Sequence, residues 1–272
     1  MRKRANDKMA EDDRGMVIAL ARGLSILQCF SPDRPELGPT DLAAMLGLPQ
    51  PTVWRLCQTL QKLGFLVPGP THDKLCVGEA VLRLGHAAAA NSSLVEYAYP
   101  LMREIAVKYG VSVSLSSRFG PDMLIVQRVA ETSILQLNLH VGSAYEVMNS
   151  AAGWAYLSGL SSSDRRQVME EIRNERPENF AAYRANVREA LAQFEAEGYV
   201  VGLGKMHPLI NAVGVPVISA NRQRVMAINC GGVSLTCTPE LIKEELGPAM
   251  RKLADKLSAR LGASADVQYN RR

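Results

Sequence analysis

The 272-residue chain has no uninterrupted apolar run near the ~18 residues that a bilayer crossing needs. Its opening MRKRANDKMAEDDRG carries charge without the apolar stretch of a signal peptide, so a cytoplasmic protein with no membrane association is expected. The five cysteines (Cys29, Cys57, Cys76, Cys230, Cys237) form no CxxC pair and mostly sit inside apolar patterns, where a thiol behaves as a small hydrophobe. Neither a disulfide framework nor a metal or cofactor site is expected from them. Strong charge of one sign is also missing: the net charge is +4, and residues 1–75 hold ten Lys/Arg against eight Asp/Glu. Any case for nucleic acid must therefore rest on where the charges lie. What is present is 47% apolar and 21% charged residues, ordinary for a soluble globular protein, in a length that suits two domains.

One stretch lacks acids altogether, since no carboxylate occurs between Asp41 and Asp73. Within it, LPQPTVWRLCQTLQKLGF (48–65) reads as an amphipathic helix. Val53, Leu56, Cys57, Leu60 and Leu63 recur at helical spacing and predict a buried stripe. The other face presents Thr52, Trp54, Arg55, Gln58, Thr59 and Lys62. Pro51 suits the first helical turn and Pro49 keeps the incoming chain extended. Upstream, PTDLAAMLG predicts a short helix capped near Pro39 or Thr40 and ended by Gly47. Ala43, Gly47 and Val53 then supply the small residue, the turn and the apolar anchor of a helix-turn-helix. Downstream, Phe65–Val67 and Leu75–Val77 flank a Pro/Gly/Asp turn, as in a β-hairpin wing. Residues 17–30 predict a helix whose Ile18, Leu20, Leu24, Ile26 and Leu27 cover the pair. On a DNA duplex, Thr52, Arg55 and Gln58 are placed to reach base edges, with Gln50 and Trp54 beside them. Lys62, His72, Lys74 and the tail Arg2, Lys3 and Arg4 are placed for phosphate.

These residues resemble the IclR family of bacterial transcriptional regulators, and the resemblance runs from Ala19 to Leu261 through ARGLSILQCF, LAAMLGLPQPTVWRLCQTLQKLGF, KLCVG, NSAAGWAYLSGL and VGVPV. It implies an α+β protein: an N-terminal winged helix-turn-helix, a linker helix, and a C-terminal α/β effector-binding domain built on an antiparallel sheet, GAF- or profilin-like. The corresponding boundaries are a tail over 1–16, the DNA-binding domain over 17–79, the linker over 80–92, the effector domain over 93–264 and a tail over 265–272. Implied partners are double-stranded operator DNA, a small organic acid, a second copy of the chain as a dimer or dimer of dimers, and RNA polymerase. Where the family usually has Ser then Thr, this chain has Pro51 and Thr52, and Trp54 stands where His is frequent. Operator preference is therefore not carried over.

In the distal half, 78–110 is helical material that Pro100 should bend or restart. VSVSLSSRF and MLIVQRV alternate at period two around Gly120-Pro121-Asp122, and ILQLNLHV (134–141) repeats the alternation with His140 exposed. VGVPVISA and RVMAINCGG predict two more strands, and Thr238-Pro239-Glu240 caps a long last helix. In NSAAGWAYLSGL, Asn149 or Ser150 caps a helix whose free Ala151 and Ala152 amides could hold a carboxylate. The family's effector contacts map onto Tyr145, Met148, Ala151, Ala152, Gly202, Ala212, Asn229 and Gly231. Acidic and hydroxyl positions of the sugar-acid and keto-acid sensors appear here as Gly202, Ala212, Asn229 and Gly231, which implies a roomier, less polar pocket suited to an aromatic carboxylate. Two other readings compete: a ligand-sensing adaptor without DNA binding, and a hydrolase or transferase using Cys230. No histidine can be assigned to that thiol, and GLGK lacks the remaining residues of a phosphate loop, so a regulator without catalytic residues is expected.

Overall fold

The structure, a computed structural model, describes residues 16–90, 93–130 and 139–261. The chain divides into two compact units between Ala88 and Ala89. In the first, α1 (Ile18–Gln28), α2 (Pro39–Leu46) and α3 (Gln50–Lys62) are followed by strands β1 (Leu66–Pro68) and β2 (Leu75–Val77) and by α4 (Ala80–Ala90). Gly47 ends α2 at φ 64, a left-handed conformation that glycine adopts without strain. Pro39 opens α2, and the Asp41 carboxylate accepts the Gly38 N–H at 2.8 Å. β1 and β2 pair antiparallel with Leu66 opposite Val77. Ile26, Leu42, Val53, Cys57, Leu60, Leu66 and Leu75 form the core.

Two apolar expectations for this unit do not hold. Leu63 is 60% exposed, because it sits just past the end of α3 and about 80° around the axis from Val53 at 100° per residue. Ile18, Leu20 and Leu24 are also exposed, leaving Gly23, Ile26 and the half-buried Leu27 as the face that α1 packs inward.

The second unit is built on one antiparallel six-stranded sheet in the order β5-β4-β3-β8-β7-β6. Its strands are β3 (Ser112–Phe119), β4 (Asp122–Val129), β5 (Ala144–Glu146), β6 (Val200–Leu203), β7 (Ile210–Ile218) and β8 (Val225–Val233). Alternation along β3, β7 and β8 sends Val113, Leu115, Val213, Val215, Ile228 and Cys230 to one face. There they pack against α5 (Ser93–Tyr109) and the C-terminal α10 (Gly247–Leu261). The other face carries Ser112, Ser114, Ser116, Ala212, Gly214, Ala227, Asn229 and Gly231. Against it lie α6 (Ala151–Gly159), α7 (Ser162–Glu175) and α8 (Pro177–Glu197). Small residues on this face let α6 come close: a Cβ added at Gly214 would lie 2.4 Å from the Ala151 carbonyl oxygen.

α5 runs on through Pro100 without restarting, with the proline on its exposed side. The last helix is interrupted. Thr238 caps α9 (Pro239–Leu241), a π-helical stretch follows over Ile242–Leu246, and α10 resumes at Gly247 against the Tyr199 ring. The strand expected over 134–141 falls mostly outside the described residues. β5, which the alternation pattern did not announce, adds a short edge strand to β4.

Candidate functional site

Two places collect the candidate residues, one in each unit. On α3, Arg55, Gln58 and Lys62 lie on the side opposite Val53, flanked by Thr52 and by Trp54, which is 54% exposed. These five share one accessible face with no acid on it. Gln50 does not join them, because its Nε2 donates to Thr40 Oγ1 at 3.0 Å and braces the turn between α2 and α3. In the wing His72 is almost fully exposed and meets the Asp73 carboxylate at 2.9 Å. The Lys74 ammonium is held by Asp41 at 2.5 Å, which ties the wing to the start of α2. That hydrogen bond, with the one from Gly38 N–H, keeps the Asp41 carboxyl below the usual carboxylate range. Lys74 is thus already committed to a carboxylate within the protein.

The second place is a cleft between the sheet face and the start of α6, of about 850 Å³ when the space open to solvent at its mouth is included. Tyr145, Ser150, Ala151, Ala152, Gly202, Ala212, Asn229 and Gly231 all border it. Met148 does not; it is buried beneath, and its carbonyl accepts the Trp154 indole N–H at 2.8 Å. Ser150 caps α6 by accepting the Gly153 N–H at 3.1 Å, which leaves the Ala151 and Ala152 amides as first-turn donors without an acceptor among the described residues. Beside them, Asn149 Oδ1 is buried without a hydrogen-bond partner among the described residues. Rotating that amide would present a donor instead of an acceptor. The room expected at Gly202 is partly taken: a Cβ there would lie 3.3 Å from the Trp154 ring.

On the opposite wall Tyr145 donates to Asn229 Oδ1 at 3.2 Å and shares a 2.7 Å hydrogen bond with Ser116. Burial pushes its phenol up to about 12, so it stays a neutral donor. β5, the strand that carries Tyr145, is pinned by Arg176 at the start of α8. Its guanidinium grips both oxygens of Asp122 at 2.8 Å and reaches Glu146 at 3.4 Å, while Asn179 also bonds Glu146.

Sequence periodicity missed Arg128, which borders the same cleft. Strict alternation from Met123 and Ile125 would turn Arg128 to the far face of β4. The register slips between Leu115 and Ser116, leaving Val126 as an extra residue, so that Arg128 falls opposite Ser114 on the cleft side. Its Nη1 donates to Ser114 Oγ at 3.0 Å. Burial lowers its pKa, yet an arginine remains charged. Lys205 is the other cation at the rim, 3.8 Å from Glu189. No Asp or Glu is among the described residues that border the cleft.

Cys230 lies buried in β8, facing away from the cleft, and burial drives its thiol far up, so a thiolate nucleophile is disfavoured. No helix among the described residues is long and apolar enough to cross a membrane.

Residues 19–70 match the IclR helix-turn-helix domain and residues 86–259 match the C-terminal domain of bacterial IclR transcriptional regulators. The chain is 29% identical over 260 residues to the HTH-type transcriptional regulator TsaQ1/TsaQ2 of Comamonas testosteroni, covering 95% of this chain and 93% of that protein. Among solved structures, an IclR family transcriptional regulator from Brucella abortus superposes with a TM-score of 0.82 at 32% identity, over 92% of this chain and 95% of the other. An IclR homologue from Microbacterium hydrocarbonoxydans complexed with 4-hydroxybenzoate shares the fold, with a TM-score of 0.70 at 19% identity over 90% and 100% of the two chains. The matched proteins are transcriptional regulators, not enzymes, and binding of operator DNA and of a small-molecule effector fits them. A helix-turn-helix unit followed by an α/β unit that matches the IclR C-terminal domain is the arrangement of the IclR family of bacterial transcriptional regulators, and this chain belongs to it.

Proposed function

We propose that this regulator binds operator DNA through α3 and the wing, and that an organic acid, an aromatic carboxylate from a catabolic pathway, sits in the α6 cleft and controls that binding. The cleft's charge carries this reading: among the described residues its lining has two cations, the amides at the start of α6 and no carboxylate, which favours an anion. The relative complexed with 4-hydroxybenzoate lends the aromatic class its support. The ligand's carboxylate rests on the Ala151 and Ala152 amides, with Tyr145 and Asn229 along its body.

The working form is a cytoplasmic dimer or dimer of dimers. Ile18, Leu20 and Leu24 on α1 and Leu82 and Leu84 on α4 are exposed apolar side chains that a second copy would cover. The DNA-binding domain spans 17–79, the linker 80–92 and the effector domain 93–264. The acid changes the setting of the two linker helices, and with it the spacing of the recognition helices on half-sites about 34 Å apart. RNA polymerase is the partner through which the bound protein acts on transcription. Ligand must favour one arrangement over the other for switching to occur.

Fluorescence anisotropy with promoter DNA, with and without added benzoate, tests the reading. DNA affinity should fall steeply with salt and shift on adding the acid. Salt-independent binding would defeat the DNA assignment, and tight glyoxylate or pyruvate binding with no affinity for benzoate would defeat the aromatic one.

A further inference from the structure

Arg128 is the cation whose presence in the cleft calls for a partner. The bulge in β4 turns it onto the cleft face, and Ser114 Oγ steadies it there at 3.0 Å. The neighbouring cations are matched: Lys205 has Glu189 at 3.8 Å and Arg176 has Asp122 at 2.8 Å. No carboxylate pairs with Arg128 among the described residues. A guanidinium partly withdrawn from water gains most from an anion that fits its fork.

The sheet register measures how far this cation stands from the other anion-binding feature. Arg128 on β4 lies opposite Ser114 on β3, Ser114 opposite Asn229 on β8, and Asn229 opposite Gly214 on β7. The start of α6 rests directly on Gly214, whose missing Cβ would lie 2.4 Å from the Ala151 carbonyl oxygen. Ser114 holds the guanidinium toward β3. Two strand spacings, about 10 Å, therefore separate it from the Ala151 and Ala152 amides over β7. A short oxoacid reaches one end of that row and leaves the other bare. A six-membered ring with acidic groups at opposite positions reaches both. Asn229 stands between them, and its Nδ2 donates to no acceptor among the described residues while its Oδ1 is taken by Tyr145.

We propose that Arg128 is a second anchor of the effector, and that the effector carries two anionic groups across an aromatic ring or an equally rigid spacer, one on the Ala151 and Ala152 amides and the other on Arg128. This rests on the reading that an organic acid occupies the cleft.

Calorimetry on the full chain with benzoate, benzene-1,4-dicarboxylate and benzene-1,2-dicarboxylate tests it. The 1,4-isomer should bind at least about tenfold more tightly than benzoate, the gain of one charge-assisted contact, and the 1,2-isomer should gain nothing. In Arg128→Gln, checked for folding by circular dichroism, the 1,4-isomer should fall to within about threefold of benzoate, and Arg128→Lys should recover part of the gap. Equal affinities for benzoate and the 1,4-isomer in the unaltered protein would overturn the proposal. So would a variant that weakens benzoate as much as the dicarboxylate, since Arg128 would then hold the only acid group. Binding of benzoate without the 1,4-preference sinks this inference and spares the acid-effector reading, whereas binding of none of the acids sinks both.

Discussion

The two units present their candidate sites in opposite ways. On α3 a single run of thirteen residues makes the whole surface, with Val53, Cys57 and Leu60 inward and Arg55, Gln58 and Lys62 outward, so each side chain's place follows from its own helix. The cleft borrows from β3, β4, β5, β6, β7, β8 and the start of α6, so its lining is gathered from residues spread over positions 110–233. Its shape is set by close approach, as at Gly214, and by register, as at Arg128. A surface made by one helix tolerates substitution residue by residue. A site made where sheet and helix meet fails when their spacing changes.

The sharpest way to break that contrast is Gly214→Ala. The added methyl meets backbone, the Ala151 carbonyl, so α6 must lift from β7. The effector unit should lose about 3 kcal/mol, at the upper end of the cost of overpacking. Affinity for benzoate should vanish while DNA binding in the absence of acid persists. The mirror substitution is Gly78→Ala, where a Cβ would lie 2.3 Å from the Gly64 carbonyl oxygen. It should damage DNA binding and spare the acid. Thermal melts paired with calorimetry and anisotropy read both, and loss of both functions from either change would show that the units do not answer separately.

A smaller effect is expected on α3. Arg55→Ala should weaken a preferred operator by about 2 kcal/mol and blunt discrimination among bases, whereas Lys62→Ala should weaken every sequence alike and lower the salt slope by about one. Anisotropy across a salt series on operator and random DNA separates them. Equal losses on both DNAs would remove base reading from Arg55.

How much of this was legible beforehand follows from the same contrast. Val53, Gly47 and the wing strands could be read because helical period, a left-handed turn and a tight hairpin are local properties. Leu63 was misjudged at the stripe's edge, where ten residues of rotation had accumulated. Ile18, Leu20 and Leu24 were misjudged because apolar character says that a face is to be covered and not what covers it. In the cleft, Ser150, Ala151 and Ala152 were legible as a helix start, and the family resemblance led to Tyr145, Gly202, Ala212, Asn229 and Gly231. Arg128 was not legible, since a single extra residue in β4 reverses the facing of everything beyond it. The run MLIVQRV, seven residues without a turn signal, gives no local sign of a slip. Trp154 filling the space left at Gly202 is likewise a contact between elements distant in sequence.

The smallest effect concerns Lys74, which among the described DNA-surface candidates shares with His72 a tie to a side chain of opposite charge; Arg2, Lys3 and Arg4 lie outside the described residues. Asp41→Asn should keep the Gly38 N–H satisfied through the amide oxygen while releasing the ammonium. If phosphate lies within reach of the wing, the freed Lys74 should steepen the salt slope by about 0.9 and tighten operator and random DNA together at low ionic strength. In the unaltered protein, Lys74→Met should leave the slope where it is. The sign of the pH response follows from the lowered Asp41 carboxyl: the pair is whole above the usual carboxylate range and is lost only as pH falls through that lowered value. DNA affinity should therefore show no step from this pair across neutral pH. An unchanged slope in Asp41→Asn would mean that Lys74 braces the wing against α2 and has no phosphate to meet, leaving α3 and His72 to carry the contact with DNA.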